Sequence, residues 1–210
     1  MLFVYFDRVN DWSSVEHCTY NLSSEVTAKI SRTANDALKN ERISVYTLLE
    51  RAISEKNACK TDIIFTETGK PLLKSGEFDI SLSHTANGVA AAICQGSGAV
   101  GIDIEEISEK NEERAERFLK RYGLSNLSLK KMDPGEITVD GECDIITDNF
   151  DGCSYLGLWT LTEALLKCQG GGFSSLHDID RLKNSCEAYS AKIRLCERDF
   201  IFSVVVSSEK

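Results

Sequence analysis

The stretch Gly101-Ile102-Asp103-Ile104-Glu105 decides how this chain reads. Ile102 and Ile104 alternate with Asp103 and Glu105, the period of a strand whose successive side chains leave on opposite faces. The isoleucines therefore point into a core while both carboxylates point the other way. Downstream, Trp159-Thr160-Leu161-Thr162-Glu163-Ala164-Leu165-Leu166-Lys167 reads as a helix, and Glu163 and Lys167, four residues apart, share one face. A strand and a helix of this kind bring three carboxylates and one amine within reach of a single site. Hard oxygen donors beside a lysine are what Mg²⁺ and a phosphate ester require, and they point to phosphoryl-transfer chemistry.

Outward from these two elements the chain alternates helical and extended patterns. Met1-Leu2-Phe3-Val4-Tyr5-Phe6-Asp7 is too short and too poor in basic flanks for a signal peptide and reads as a first strand. Residues 24–39 and 41–56 carry helical signals, the second with Ile43, Tyr46, Leu49, Ala52 and Ile53 on one face. Residues 61–65 and 78–93 read as strands, with Gly69-Lys70-Pro71 as a turn between them. Phe78, Ile80 and Leu82 alternate with Asp79, Ser81 and Ser83, as in a half-buried strand.

Residues 109–122 form an amphipathic helical pattern that buries Ala115, Phe118, Leu119 and Tyr122 and leaves Arg114, Arg117, Lys120 and Arg121 as a basic flank. From Met132 to Gly157 the chain is acidic and holds no Lys or Arg, which predicts a loop or weak hairpin decorating the domain. A helix over 155–168 stops at Gly170-Gly171-Gly172, and strands follow near 188–196 and 200–206. Each half has helices followed by strands, an α+β pattern.

Composition narrows the function classes. At 210 residues the chain suits one compact domain or two small lobes sharing a core. A net charge of −9 argues against a general nucleic-acid binder, since phosphate backbones reward clustered Lys and Arg. No apolar run is long enough to span a bilayer, so no membrane partner is expected and a cytoplasmic location is the default. None of the eight cysteines forms a Cys-x-x-Cys pair or sits at zinc-like spacing with the three histidines, and they are assigned no function.

Taken singly, each motif has an ordinary reading. Acids alternating with Ile mark a solvated sheet face, a Glu–Lys pair steadies an exposed helix, His84 is a structural histidine, and Thr68-Gly69-Lys70-Pro71 is a turn. Their order is more specific. Gly-Lys-Pro, then Phe-x-x-Ser-x-Ser-His, then Gly-Ile-Asp-Ile-Glu, then Trp-x-x-x-Glu-Ala-x-x-Lys resembles the 4′-phosphopantetheinyl transferase superfamily. The closest resemblance is to its surfactin-synthetase-activating type, in which one chain carries both pseudo-symmetric halves. The match runs from about Arg42 to Phe173.

The resemblance implies an α+β fold of two similar pseudo-symmetric lobes, each a small antiparallel sheet with packed helices, spanning residues 1–100 and 101–210. Coenzyme A would lie in the cleft between them. It implies transfer of the phosphopantetheine arm of coenzyme A to a serine of an acyl- or peptidyl-carrier protein by a cytoplasmic, monomeric enzyme, with release of adenosine 3′,5′-bisphosphate. The carrier belongs to fatty-acid, polyketide or nonribosomal-peptide synthesis, or to amino-acid metabolism. By motif match Asp103, Glu105 and Glu163 hold Mg²⁺, Glu163 is also the base for the serine, and Lys167 sits on the pyrophosphate. Ser83 and His84 contact coenzyme A phosphates, Thr68, Gly69, Lys70 and Pro71 pack on the adenine, and Arg42 grips the 3′-phosphate, with Lys39 and Arg32 as helpers. The helix over 109–122 falls where the family docks its acidic carrier.

Two features depart from the family pattern. Thr162 stands where a Lys usually precedes the helix glutamate, and the 132–157 stretch is unusually acidic for a chain that meets an acidic carrier. They leave two other readings open: a catalytically degenerate coenzyme A-binding regulator or scaffold, and a Mg²⁺-dependent phosphoesterase that releases phosphopantetheine to water.

Overall fold

Strand β1 (Leu2–Arg8) is buried on both faces, which its run of Leu, Phe, Val, Tyr and Phe requires, and it forms the middle of the first sheet. The structure is a computed structural model and describes residues 1–10, 22–56, 63–96, 98–141, 143–147 and 154–207. After β1 come helices α1 (Ser24–Ser31) and α2 (Asp36–Glu55), then the short hairpin of β2 (Ile63–Phe65) and β3 (Pro71–Leu73). Strands β4 (Phe78–His84), β5 (Gly88–Gln95) and β6 (Ala99–Glu106) follow, then α3 (Glu109–Tyr122) and β7 (Lys130–Lys131). The chain continues through β8 (Ile137–Asp140), β9 (Cys143–Thr147), α4 (Tyr155–Gln169), α5 (Ile179–Leu182), β10 (Cys186–Leu195) and β11 (Arg198–Ser207).

The strands build two main sheets, ordered β4-β5-β1-β8 and β6-β11-β10-β7, with β9 also pairing with β10. Helix α2 covers the outer face of the first sheet, where Leu48, Leu49 and Ile53 join Tyr5, Ala91 and Ile93. The inner faces of the two sheets pack on each other through Val4, Phe6 and Ala92 on one side and Ile102, Ile104 and Phe202 on the other. Helices α3 and α4 cover the outer face of the second sheet, with Leu119, Trp159 and Leu165 against Ile201 and Val205. The result is a mixed α+β architecture of four layers, helix, sheet, sheet, helix.

Strands β4 and β6 are the facing edges of the two sheets, and they meet through side chains. The edge amides of Val100, Ile102 and Ile104 donate to Asp79 Oδ2 at 2.7 Å, Ser81 Oγ at 3.0 Å and Ser83 Oγ at 3.4 Å. The polar positions of β4 expected on a half-buried strand are therefore all buried, at 7%, 3% and 5% exposure. They satisfy one edge of β6 as a neighbouring strand would.

Two other expectations change. The break expected near residue 40 lies at 32–35, because Asn35 caps α2 and its Oδ1 accepts from Leu38 N at 2.9 Å. The 132–157 segment is not a free loop or hairpin. Strand β8 runs parallel to β1 and β9 runs antiparallel to β10, so the segment joins both sheets. Residues 142 and 148–153 of that segment, and 61–62 of the strand expected over 61–65, lie outside the described residues. Cys94, Cys143, Cys168, Cys186 and Cys196 carry free thiols. Among the described residues no helix is long and apolar enough to cross a membrane.

Candidate active site

Gly101 fixes how closely β6 approaches α4. A Cβ at this position would lie 1.9 Å from the carbonyl oxygen of Ala164, so only glycine fits. With the backbone this close, Asp103 and Glu105 project toward the face of α4 that carries Glu163 and Lys167. The Lys167 ammonium lies 2.6 Å from Asp103 Oδ1, 3.0 Å from Ser83 Oγ and 3.9 Å from Glu163 Oε2. The Ser83 hydroxyl donates to Asp103 Oδ1 at 2.8 Å. Glu105 accepts from the indole N–H of Trp159 at 3.2 Å.

Ser83, His84, Asp103, Glu105, Glu163 and Lys167 line one cleft of about 400 Å³, with Arg114 of α3 on its wall. Both glutamates hold their protons unusually tightly. Burial, reinforced by the charge of Asp103, pushes Glu163 up to about 7 and Glu105 up to about 6. Lys167 opposes both shifts without cancelling them. Asp103 is 2% exposed, and its buried Oδ2 has no hydrogen-bond partner among the described residues. The cleft thus offers hard oxygen donors with too little positive charge beside them. Among the described residues no three His, Cys, Asp or Glu side chains stand together in ready-made ligand geometry.

Residues 99–208 match the family model of the 4′-phosphopantetheinyl transferase superfamily, more than half of the chain. The chain belongs to the 4′-phosphopantetheinyl transferase superfamily. The matched segment runs from β6 to β11 and holds Asp103, Glu105, Glu163 and Lys167. Comparison with curated proteins gives no match.

The positions that the transferase motifs suggest in the first half lie outside that segment and divide into two groups. Ser83 and His84 reach the cleft. Nδ1 of His84 lies 2.8 Å from Glu41 Oε2 of α2, and burial pushes the imidazolium pKa down against the pull of that carboxylate. Arg42, Thr68, Gly69, Lys70 and Pro71 do not line the cleft. Arg42 donates to Thr33 Oγ1 at 2.5 Å. Gly69 adopts φ +88° in the β2–β3 turn, where Thr66 and Thr68 hydroxyls bond each other at 2.8 Å. The Lys70 ammonium is partly buried, 2.9 Å from Asp79 Oδ2, 3.3 Å from Val100 O and 3.2 Å from Cys168 O. It ties the turn to both sheets and to the end of α4.

Sequence motifs miss three polar residues of the surrounding helices. Lys29 of α1 stands over the Phe65 ring at 4.0 Å and feels the charge of Arg42, whereas Lys39 and Arg32 are exposed. Glu112 of α3 accepts from the first two amides of α4, Tyr155 N at 2.7 Å and Leu156 N at 3.0 Å. It thereby fixes where the helix bearing Glu163 and Lys167 begins. Arg114, grouped by periodicity with the solvent-facing basic flank, lies on the cleft wall instead. The proximity of Arg114 to Glu163 depends on how α3 packs on α4, which helical periodicity does not reveal.

Proposed function

We propose that this chain transfers the 4′-phosphopantetheine arm of coenzyme A to a serine hydroxyl of an acyl- or peptidyl-carrier protein, releasing adenosine 3′,5′-bisphosphate. The observation that carries this reading is the facing of Asp103 and Glu105 on β6 with Glu163 and Lys167 on α4, inside the segment that matches the family. The two-lobed, single-chain type is the form proposed. In support, β1, α2 and the hairpin β4–β5 recur in order as β6, α4 and the hairpin β10–β11, with sheet orders β4-β5-β1 and β10-β11-β6. The proposed lobes are residues 1–100 and 101–210, with coenzyme A between them.

The carboxylates of Asp103, Glu105 and Glu163 fit a magnesium ion. All are hard oxygen donors, Asp103 Oδ2 has no partner among the described residues, and burial disfavours the ionised forms of Glu105 and Glu163 that a cation would favour. When bound, Mg²⁺ supplies charge neutralisation on the pyrophosphate oxygens. The chain's own residues account for the rest. Ser83 and His84 bind phosphate at one side of the cleft, where the charge of Arg42 is felt by His84.

Glu163 takes the proton of the incoming serine, directly or through a water. The serine oxygen forms a bond to the phosphorus on the pantetheine side, and the bond to the adenosine-side phosphate breaks. Lys167 swings from Asp103 to the departing phosphate and stabilises its new charge. An acidic carrier would dock on α3, where Arg117, Lys120 and Arg121 accompany the exposed rings of Tyr122 and Phe173 beside an apolar groove. Mass analysis of an apo carrier incubated with coenzyme A, Mg²⁺ and the chain tests the proposal. A phosphopantetheine adduct supports it, and binding of coenzyme A without transfer refutes it.

A further inference from the structure

Helix α3 carries four basic residues from Arg114 to Arg121, and they are not equivalent. Arg117 and Lys120 pair with acids four residues earlier on the same helix, Glu113 at 3.9 Å and Glu116 at 2.6 Å. Arg121 lies over the Tyr122 ring. Arg114 has no acid four residues before it, where Lys110 stands, nor four after it, where Phe118 stands. Among the described residues its guanidinium makes one contact, 5.6 Å over the ring of the buried Trp159. The same indole donates to Glu105, so the ring that supports Arg114 also holds one of the cleft carboxylates.

This arrangement holds a guanidinium beside an indole while leaving its N–H groups without a carboxylate partner among the described residues. A guanidinium held by a ring rather than by an acid keeps its planar fork of donors for oxyanions. Arg114 lines the cleft together with Lys167 and three carboxylates. The charge of Arg114 is felt by both Glu105 and Glu163. Lys167, the other long cation of the cleft, is occupied by Asp103 and Ser83. Thr162 adds no cation from α4, because its side chain is fully buried and its hydroxyl bonds Leu158 O at 2.7 Å.

We propose that Arg114 is a further ligand-contacting residue, which holds non-bridging oxygens of the pyrophosphate from the α3 side of the cleft. This deepens, and rests on, the transferase reading above. It removes Arg114 from the carrier-docking face and supplies from α3 a cation that α4 lacks at position 162. The group the arginine takes is a diphosphate ester, recognised through a fork of charge-assisted hydrogen bonds.

The test uses the full chain and inorganic pyrophosphate with Mg²⁺, titrated by calorimetry into the wild type, Arg114→Gln and Arg114→Lys, beside carrier-transfer kinetics for all three. Arg114→Gln is expected to weaken pyrophosphate binding by roughly ten- to a hundredfold. Arg114→Lys should recover part of the loss, and the KM for the carrier should stay within about threefold in both. Since Arg114 is exposed, matching circular dichroism and melting temperature are expected for all three proteins. Wild-type protein that binds no pyrophosphate, or Arg114→Gln protein that binds it equally well, overturns the assignment. A rise confined to the carrier KM does so too, because it returns Arg114 to the docking face. If the wild type transfers nothing to a carrier yet loses pyrophosphate affinity on Arg114→Gln, the transferase reading fails and the phosphate contact stands.

Discussion

The Lys167 ammonium sits 2.6 Å from Oδ1 of Asp103, and the buried Oδ2 of that carboxylate has no partner among the described residues. One aspartate thus holds a cation on one oxygen and lacks one on the other. Ion binding at the free oxygen and release of Lys167 toward the phosphate would use the two sides of the same residue. Asp103→Asn and Glu163→Gln are each expected to lower transfer by on the order of 10²–10³-fold while preserving far-UV circular dichroism and a cooperative melt. Near-wild-type turnover of either variant at limiting Mg²⁺ contradicts the proposed ligand set.

The raised glutamates give a signed pH prediction. In the folded, metal-free protein Glu163 is pushed to about 7 and Glu105 to about 6, from ordinary values of 4.5, so folding binds protons more tightly than unfolding does. Their cost to stability is absent below pH 4.5, grows as the pH rises, and is complete above about pH 7. A cation that binds the ionised carboxylates reverses it. Differential scanning fluorimetry is expected to show a larger Mg²⁺-induced rise in Tm at pH 8 than at pH 5. An equal Mg²⁺ shift at both pH values argues against these two groups.

Lys70 is a strut between the halves. Its side chain is 12% exposed and that of its partner Asp79 is 8% exposed, so removing the amine leaves a buried carboxylate that among the described residues keeps only the Val100 amide. Lys70→Met is expected to destabilise the fold by about 3–5 kcal/mol in urea titrations, and Lys70→Met with Asp79→Asn should be more stable than the single variant. A single variant as stable as the wild type shows that the pair does not join the sheets.

Thr162 is fully buried. A lysine at this position should therefore overfill the α4 interface. Thr162→Lys is expected to cost about 1–3 kcal/mol by thermal melt and to raise transfer little, if at all. A variant that is both more active and equally stable shows that α4 can turn this position into the cleft.

The alternation of Ile102 and Ile104 with Asp103 and Glu105 was legible because a strand's period is local and the core takes the isoleucines. The same rule was insufficient for Asp79, Ser81 and Ser83. Alternation says that these residues share a face, but it does not distinguish solvent from the edge of a second sheet. The start of α2 was written in Asn35-Asp36, a cap signal that a continuous apolar count passes over. Strands β8 and β9 depend on partners far along the chain, and their own segment shows only acidity and the short alternation Ile137-Thr138-Val139-Asp140. Four carriers of proposed chemistry, Asp103, Glu105, Glu163 and Lys167, were found by spacing, and the cleft gathers them. Arg114, Glu112 and Lys29 were not, since their neighbours come from other helices.

The most direct measurement of the central claim is intact-mass spectrometry of an apo carrier protein after incubation with this chain, coenzyme A and Mg²⁺. The account predicts a gain of one phosphopantetheine, about 340 Da on a single serine, that is lost when the metal is chelated and in the Glu163→Gln protein. An unchanged carrier mass across acyl- and peptidyl-carrier substrates, from protein that still binds coenzyme A, would contradict it.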